Sequence, residues 1–362
     1  MKPEIGVYYW SNWHRTKAND EKRGQGWTEW EYLKDAIPRF AGHQQPKHPI
    51  WGYLDDSKVE TLELQIDTAA DHGISSFLFD WGPRSVDIPA PELEAFLAAR
   101  NCERLKFGLM ICGGMPEDPD KFYRYMIEHF FRRPNFLRVR GGLCVIFYEL
   151  HKYVRHFGSV AETAAQFARF RRMIRDAGLG ELHLVAMEWG LQKEFWTDIG
   201  DPIEAMKEIG VDAVTSYVWA HNTVPAWPHG PYCEWAESAK ACMEEIADRY
   251  PVPYYYHVST GWDPSPRCPQ TMRYVEGGPL MYHTLSGKYE IFHTPYFSSI
   301  IREDTPEEFK KALKWAKQRA EETGNELVTV YAWNEWTEGG YLEPDSRYGY
   351  GKLEAIRDVF GT

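Results

Sequence analysis

The densest chemistry in this 362-residue chain lies at residues 332–345, AWNEWTEGGYLEPD, directly after the apolar, β-branched run Leu327–Tyr331. A strand that ends in carboxylates rather than in a simple turn suggests a site. Glu335 and Glu338 stand three residues apart where the chain turns, so both side chains can face one cleft. Gly339-Gly340 then lets the backbone bend back. Two carboxyls flanking one bond are what glycoside cleavage uses, one to protonate the leaving oxygen and one to attack or to activate a nucleophile. Crowded acids raise at least one pKa, which favours a proton donor near neutral pH. Glu343 and Asp345, beyond the Gly-Gly turn, fit a role in ordering the loop. The competing interpretation of Glu335 and Glu338 is a loop ion-pair network.

The elements that position these residues repeat. Strand-type runs occur at Ile5–Trp10, Ile74–Trp81, Phe107–Cys112, Leu143–Glu149, His183–Trp189, Ala213–Trp219, Val252–Val258 and Leu327–Trp333. Between them lie helical patterns. One opens at the capping box Ser57-x-x-Glu60, and another at Thr305-Pro306-x-Glu308. Continuous apolar strands joined by amphipathic helices mean parallel pairing with both faces covered. Eight such units, with no Gly-rich phosphate turn after the first strand, predict an α/β fold, a single (β/α)8 TIM barrel over residues 1–362. Residues 10–57 form a long first βα loop, expected to be ordered over the site.

In such a barrel the C-terminal strand ends line the site. Here they carry Tyr9-Trp10, Asp80-Trp81, Cys112-Gly113, Glu149, Glu188-Trp189, Trp219 with His221, His257, and Trp333-Asn334 leading to Trp336 and Glu338. Carboxylates and indoles suit a neutral sugar, since rings stack on its C–H faces while acids accept from its hydroxyls. Glu149, Glu188 and Asp80 are further acid candidates; the bland alternative is that they bind sugar hydroxyls or pair with an arginine. Trp333 and Trp336 are open between sugar platforms and core anchors.

Aromatic residues make up 15% of the chain, with 15 Trp and 22 Tyr, an excess in amphipathic rings that fits sugar stacking as well as core. A net charge of −12 argues against a nucleic-acid or anionic-membrane partner. The six cysteines show no metal spacing, and Cys112 and Cys144 sit in apolar runs. The start, MKPEIGVYYW, lacks a signal-peptide core, and there is no apolar run of membrane-spanning length, so a cytoplasmic protein is expected. Asp118-Pro-Asp120 has the letters of a metal-holding DxD but sits at a helix start, where Asp caps. His257, His283 and His293 lack metal-ligand spacing. No metal or cofactor is expected. The expected partner is an oligosaccharide or polysaccharide.

Several longer motifs resemble the WbsX-type, glycoside hydrolase family 99-like proteins. They are GWTEW at 26–30, PRFAGHQQP at 38–46, Gly52-Tyr53 with Asp55-Asp56, GWDPSPR at 261–267 and WNEWTEGGYLEPD at 333–345. The resemblance implies a (β/α)8 barrel and a retaining hydrolase of an α-linked, mannose-like glycan. It implies that Glu335 deprotonates the sugar 2-hydroxyl, giving a 1,2-anhydro sugar. Glu338 is then the general acid for the leaving group and afterwards the base for water, and Glu149 binds the −1 sugar. Through the same motifs Trp30, His43, Tyr53, Trp262, Asp263, Arg267, Trp333, Asn334 and Trp336 join the candidate substrate-binding residues. The alternative reading is a glycosyltransferase in surface-polysaccharide (O-antigen-type) biosynthesis.

Overall fold

The computed structural model describes residues 2–361 except 88–89, 226, 273, 275–281, 284–288 and 291–297. His293, and the side chain of His283, lie outside the described residues. Parallel strands follow one another around a barrel: β1 Glu4–Tyr9, β2 Ser76–Trp81, β3 Lys106–Ile111, β4 Gly142–Phe147, β5 Leu182–Met187, β6 Ala213–Thr215, β7 and β8 Leu327–Tyr331. β7 is in two halves, Tyr254–Tyr255 and His257–Ser259. The first half pairs with β6 and the second with β8, and the Tyr256 carbonyl between them accepts from Thr329 at 3.0 Å. β8 pairs with β1 in the register Val7↔Val330, so the expected parallel eight-unit barrel is present.

Helices clothe the strands because each carries one apolar stripe. Val59–Asp71 (α3) buries Leu62, Ile66 and Ala69, spaced to face β1 and β2. Pro91–Ala98 (α4), Pro119–Met126 (α5), Leu150–Phe157 (α6), Val160–Asp176 (α7), Pro202–Ile209 (α8), Tyr232–Arg249 (α9), Pro306–Thr323 (α10) and Gly351–Phe360 (α11) follow in order. Thr305 caps α10 as its sequence predicts, accepting from the Glu308 amide at 3.3 Å, and Asp118 caps α5 through the Lys121 amide at 3.0 Å. The expected Ser57 capping box does not form. α3 starts at Val59 behind Lys58, and the Ser57 amide and hydroxyl turn to Asp55 at 2.9 and 2.5 Å. Aspartate offered Ser57 a nearer acceptor than the helix end did.

The long first loop holds two short helices, Lys17–Arg23 (α1) and Trp30–Lys34 (α2), and lies over the barrel mouth. α2 packs on the turn Trp336–Glu338 through Trp30, Leu33 and Trp336. Among the described residues no helix is long and apolar enough to cross a membrane. The six cysteines are free.

Candidate active site

Successive side chains of a strand point to opposite faces, so each strand-end pair divides. In β1, Tyr8 faces the barrel axis, its ring 4.9 Å from Tyr217 and its hydroxyl on the Ser216 carbonyl at 3.0 Å. Tyr9 faces the other way and donates to Gln65 of α3 at 2.9 Å. In β2, Asp80 remains half-buried at the mouth while Trp81 stacks on Phe122 of α5 at 5.3 Å. Beyond β8, Trp333 is fully buried with its ring 5.0 Å from Phe77.

β8 delivers the acidic pair into the mouth. Glu335 accepts from the Tyr217 hydroxyl at 3.0 Å and from Arg267 Nη2 at 3.1 Å. Glu338 accepts from Arg267 Nη1 on one oxygen and from the Tyr331 hydroxyl on the other. The same guanidinium reaches Glu29 of the first loop, through Nη2 at 2.6 Å and Nε at 3.0 Å. Glu29 also accepts from Thr337 and Asn12, both at 2.6 Å, and from Trp10 Nε1 at 3.1 Å. One arginine therefore holds three buried carboxylates, with its guanidinium carbon 5.3 Å from the Trp10 ring. Asn334 pins Trp10 by its backbone, accepting from the amide at 2.8 Å and donating to the carbonyl at 3.0 Å.

Glycine shapes the turn. Gly339 has φ +75°, and a Cβ on Gly340 would stand 2.0 Å from the Tyr331 ring, so the loop closes onto that tyrosine only without a side chain.

The electrostatics separate the acids. Burial first, then the neighbouring Glu338 carboxylate, push Glu335 well above the usual carboxylate range against the pull of Arg267. Burial also acts to raise Glu29, but Arg267, Thr337 and Asn12 outweigh it and hold Glu29 below its ordinary value. Burial lifts Asp80 to about 6, partly offset by a hydrogen bond from the Cys112 thiol. Burial pushes the Tyr217 and Tyr331 hydroxyls upward too, which keeps both as donors to the pair. His221, 3.3 Å from the Tyr148 hydroxyl, is lowered to about 3 by burial and is neutral.

His43, Gln45 and Asp263 form a clasp beside the pair. Asp263 meets His43 Nε2 at 2.9 Å, Gln45 Nε2 at 2.6 Å and the Ser265 hydroxyl at 2.6 Å. Its amide donates to the Glu338 carbonyl at 2.6 Å. Burial raises Asp263, but His43 and Lys47 outweigh it and hold the carboxyl far below the usual range. The motifs at 38–46 and 261–267 meet here.

The remaining candidates fall in different places. Glu149 is half-buried at the start of α6, paired with Lys152 at 2.6 Å. Trp189 lies 4.4 Å from His221. Trp262 donates to Ser298 at 2.6 Å and lies 6.3 Å from Tyr331. Glu188 is buried with Gln192 at 3.4 Å and Arg249 at 3.9 Å, and among the described residues shares no partner with the pair. His257 is fully buried inside the barrel between Thr329 at 3.0 Å and Ser259 at 3.2 Å. Trp219 packs on Trp235 at 5.0 Å. Trp30 donates to the Leu54 carbonyl at 2.8 Å beneath the exposed Tyr53, and Trp336 stacks on Tyr341 at 3.7 Å. Asp120 pairs with Arg169.

Glu29, Asn12, Tyr217, Tyr331, Thr337 and Tyr148 were not singled out by sequence, yet they touch the pair or the mouth around it. Glu29 stands inside the motif at 26–30. Tyr217 and Tyr331 lie in strand-end segments already recognised, two residues before Trp219 and Trp333 respectively.

The sequence model of the family described as "Glycosyltransferase WbsX" matches residues 5–81 and 293–356, which carry the first loop and the Glu335–Glu338 motif. The resemblance noted from the motifs is thereby borne out. Two proteins named "Uncharacterized protein WxcX", from two strains of Xanthomonas campestris pv. campestris, are 25% identical over 98% of this chain. The chain spans about half the length of these curated relatives, 49%. Among solved structures, the GH99 endo-alpha-mannosidase from Bacteroides thetaiotaomicron superposes with a TM-score of 0.59 at 15% identity, covering 99% of this chain and 96% of that one. A "Glycoside hydrolase-like protein" superposes with a TM-score of 0.61 at 15% identity, covering 100% and 94%. The fold is that of glycoside-hydrolase-like barrels.

Proposed function

We propose that this chain is a glycoside hydrolase that cleaves an α-linked, mannose-like glycan with retention, and that Glu335 and Glu338 carry the reaction. The observation that supports this most is the pair itself. Two buried carboxylates three residues apart sit at the C-terminal end of β8, each receiving a tyrosine hydroxyl and both bridged by Arg267. Such a pair binds a proton more tightly than a lone carboxylate, which is the supply that acid-assisted departure needs.

By similarity to the GH99 endo-alpha-mannosidase, Glu335 takes the proton of the 2-hydroxyl as that oxygen attacks the anomeric carbon. Glu338 gives a proton to the departing glycosidic oxygen. Water then attacks the anomeric carbon of the 1,2-anhydro sugar and passes its proton to Glu338. The 2-oxygen recovers the proton from Glu335. Two inversions give retention, and the net reaction is addition of water across one glycosidic bond. Burial and the neighbouring carboxylate raise Glu335 in the free protein, and Arg267 touches both members of the pair. Asp80, Glu149 and Trp10, half-buried around the mouth, are proposed to hold the sugar bound there.

The description of the matching family favours a second reading, transfer of a sugar from a nucleotide donor in surface-polysaccharide assembly. Incubating the purified protein with α- and β-linked oligosaccharides, with and without nucleotide sugars, and weighing the products separates the two. The hydrolase reading predicts release of a sugar with the mass of one added water and no nucleotide. Elongated products formed only with a nucleotide sugar would overturn it.

A further inference from the structure

Beyond the acidic pair, a smaller cavity of about 170 Å³ opens on the far side of the Asp263 clasp, between the 42–47 loop, residues 300–304 and Arg347. Drug-sized ligands occupy roughly 300–1,000 Å³, so this space suits one ring or one substituent rather than a length of glycan. It lies next to the proposed reacting bond. The Asp263 amide holds the Glu338 carbonyl at 2.6 Å, and Lys47 Nζ comes so near Gly339 that a Cβ there would stand 2.8 Å from it.

Its charges are unequal in what they can still bind. Three cations on separate segments converge, Lys47, Arg302 and Arg347. Two of the three facing carboxylates already hold other partners. Asp263 is held by His43, Gln45 and Ser265, and Lys47 stays 3.9 Å away from it. Asp304 takes Lys352 at 2.8 Å, leaving Arg347 at 3.7 Å. The third, Glu303, is exposed, where water screens it. Among the described residues Arg302 has no ion-pair partner, and its buried Nε has no hydrogen-bond acceptor. A buried guanidinium donor left unmet costs free energy that an anion would recover. Glu303, the neighbour of Arg302, also holds φ +61°, a left-handed backbone that non-glycine residues adopt at a cost and that clusters at ligand clamps.

We propose that this pocket is a subsite for an anionic group, a carboxylate or a phosphate, borne by the glycan, with Arg302 as its principal contact and Lys47 and Arg347 beside it. The placement next to the reacting bond rests on the hydrolase reading above; the anion site itself does not. Arginine meets either group through two parallel N–H donors, and the low remaining negative charge in the pocket sets the preference over a neutral sugar.

The test is calorimetric titration of the whole chain, without any cleavable substrate, with sodium glucuronate, inorganic phosphate and glucose. One of the two anions is expected to bind at least tenfold tighter than glucose and to weaken as salt is raised. Arg302→Gln should reduce that affinity tenfold or more. Arg347→Gln should reduce it less, and the circular dichroism of both variants should match the parent. Preference for glucuronate identifies a carboxylated sugar, and preference for phosphate a phosphorylated one. Glucose binding as tightly as either anion, or anion binding unchanged in both variants, overturns the proposal. No turnover enters the measurement, so absence of hydrolysis on every glycoside would remove the enzymatic reading and leave this result standing.

Discussion

Two groups of buried carboxylates meet at the top of the barrel, and they are held by different partners. Glu29, Glu335 and Glu338 share the guanidinium of Arg267. On the other side of Trp336, Asp56, Glu92 and Glu343 are equally buried, but their partners are His14, Gln65, Ser11 and the Trp336 indole N–H. Trp336 joins the two, since its neighbours Glu335 and Glu338 belong to the first group while its Nε1 donates to Glu343 at 2.6 Å. Taking a carboxylate out of water requires a cation or a proton. The first group has the Arg267 guanidinium at its centre. Among the described residues the second has no lysine or arginine ion pair; His14, itself raised, meets Asp56, and burial lifts Glu92 and Glu343 to about 7. On the proposed function, the group around Arg267 carries the chemistry and the group around Glu343 supports it.

Removing the cation should have the largest effect on the fold. Arg267→Met strands three buried carboxylates, and loss of one partner from a buried ion pair costs roughly 3–5 kcal/mol. Urea unfolding at pH 7 should show a loss in that range, partly recovered at pH 5 as the carboxylates protonate. A change under about 1 kcal/mol, within the range of an exposed ion pair, would mean that Arg267 is not their counter-charge.

The group around Glu343 should show itself through pH. Glu92 and Glu343 have a folded value of about 7 against an ordinary 4.5. Between those values the folded chain holds protons that the unfolded chain has released, so stability falls as pH rises from about 4.5 to about 7. The contribution is whole below that window and gone above it. Glu343→Gln and Glu92→Gln should each flatten the slope by up to roughly 1.4 kcal/mol per pH unit. Unfolding midpoints at pH 5, 6, 7 and 8 that keep their slope in both variants would contradict the assignment.

Gly340→Ala probes the seam through packing. Its Cβ would collide with the Tyr331 ring, and overpacking of this kind costs typically about 1–3 kcal/mol. Because Tyr331 donates to Glu338, turnover should fall by more than the melting temperature alone implies. The smallest effect is expected from Trp336→Phe, which keeps a ring on Tyr341 but loses the hydrogen bond to Glu343, at about 1 kcal/mol.

How much of this was legible in sequence follows from what each feature depends on. The eight strands declare themselves through apolar runs, and Thr305 and Asp118 act as the caps their types suggest. The Glu335–Glu338 motif was legible because its residue types are unusual after a strand. Which member of a strand-end pair turns inward was less so. Asp80 stays at the mouth while Trp81 goes under α5, and Tyr8 faces the axis while Tyr9 meets α3. Naming strand ends as pairs ignores the period of two. No linker marks α6 in the sequence, since it begins at Leu150, directly after Glu149. Arg267 holding Glu29 joins residues 238 apart, and no local pattern encodes that contact. The Ser57 capping box failed for the converse reason, since Asp55 supplied a local bond that its spacing did not advertise.

The most direct measurement of the central claim compares Glu335→Gln and Glu338→Gln on two α-glycosides, one with an activated aryl leaving group and one natural disaccharide. General acid or base assistance is worth about 10²–10⁴-fold. Glu338→Gln should lose that factor in kcat/KM on the disaccharide and far less on the aryl glycoside, whose leaving group needs little protonation. Glu335→Gln should lose it on both. Equal losses on both substrates for Glu338→Gln would remove it as the acid, and parental activity of Glu335→Gln would remove the pair as the catalytic centre.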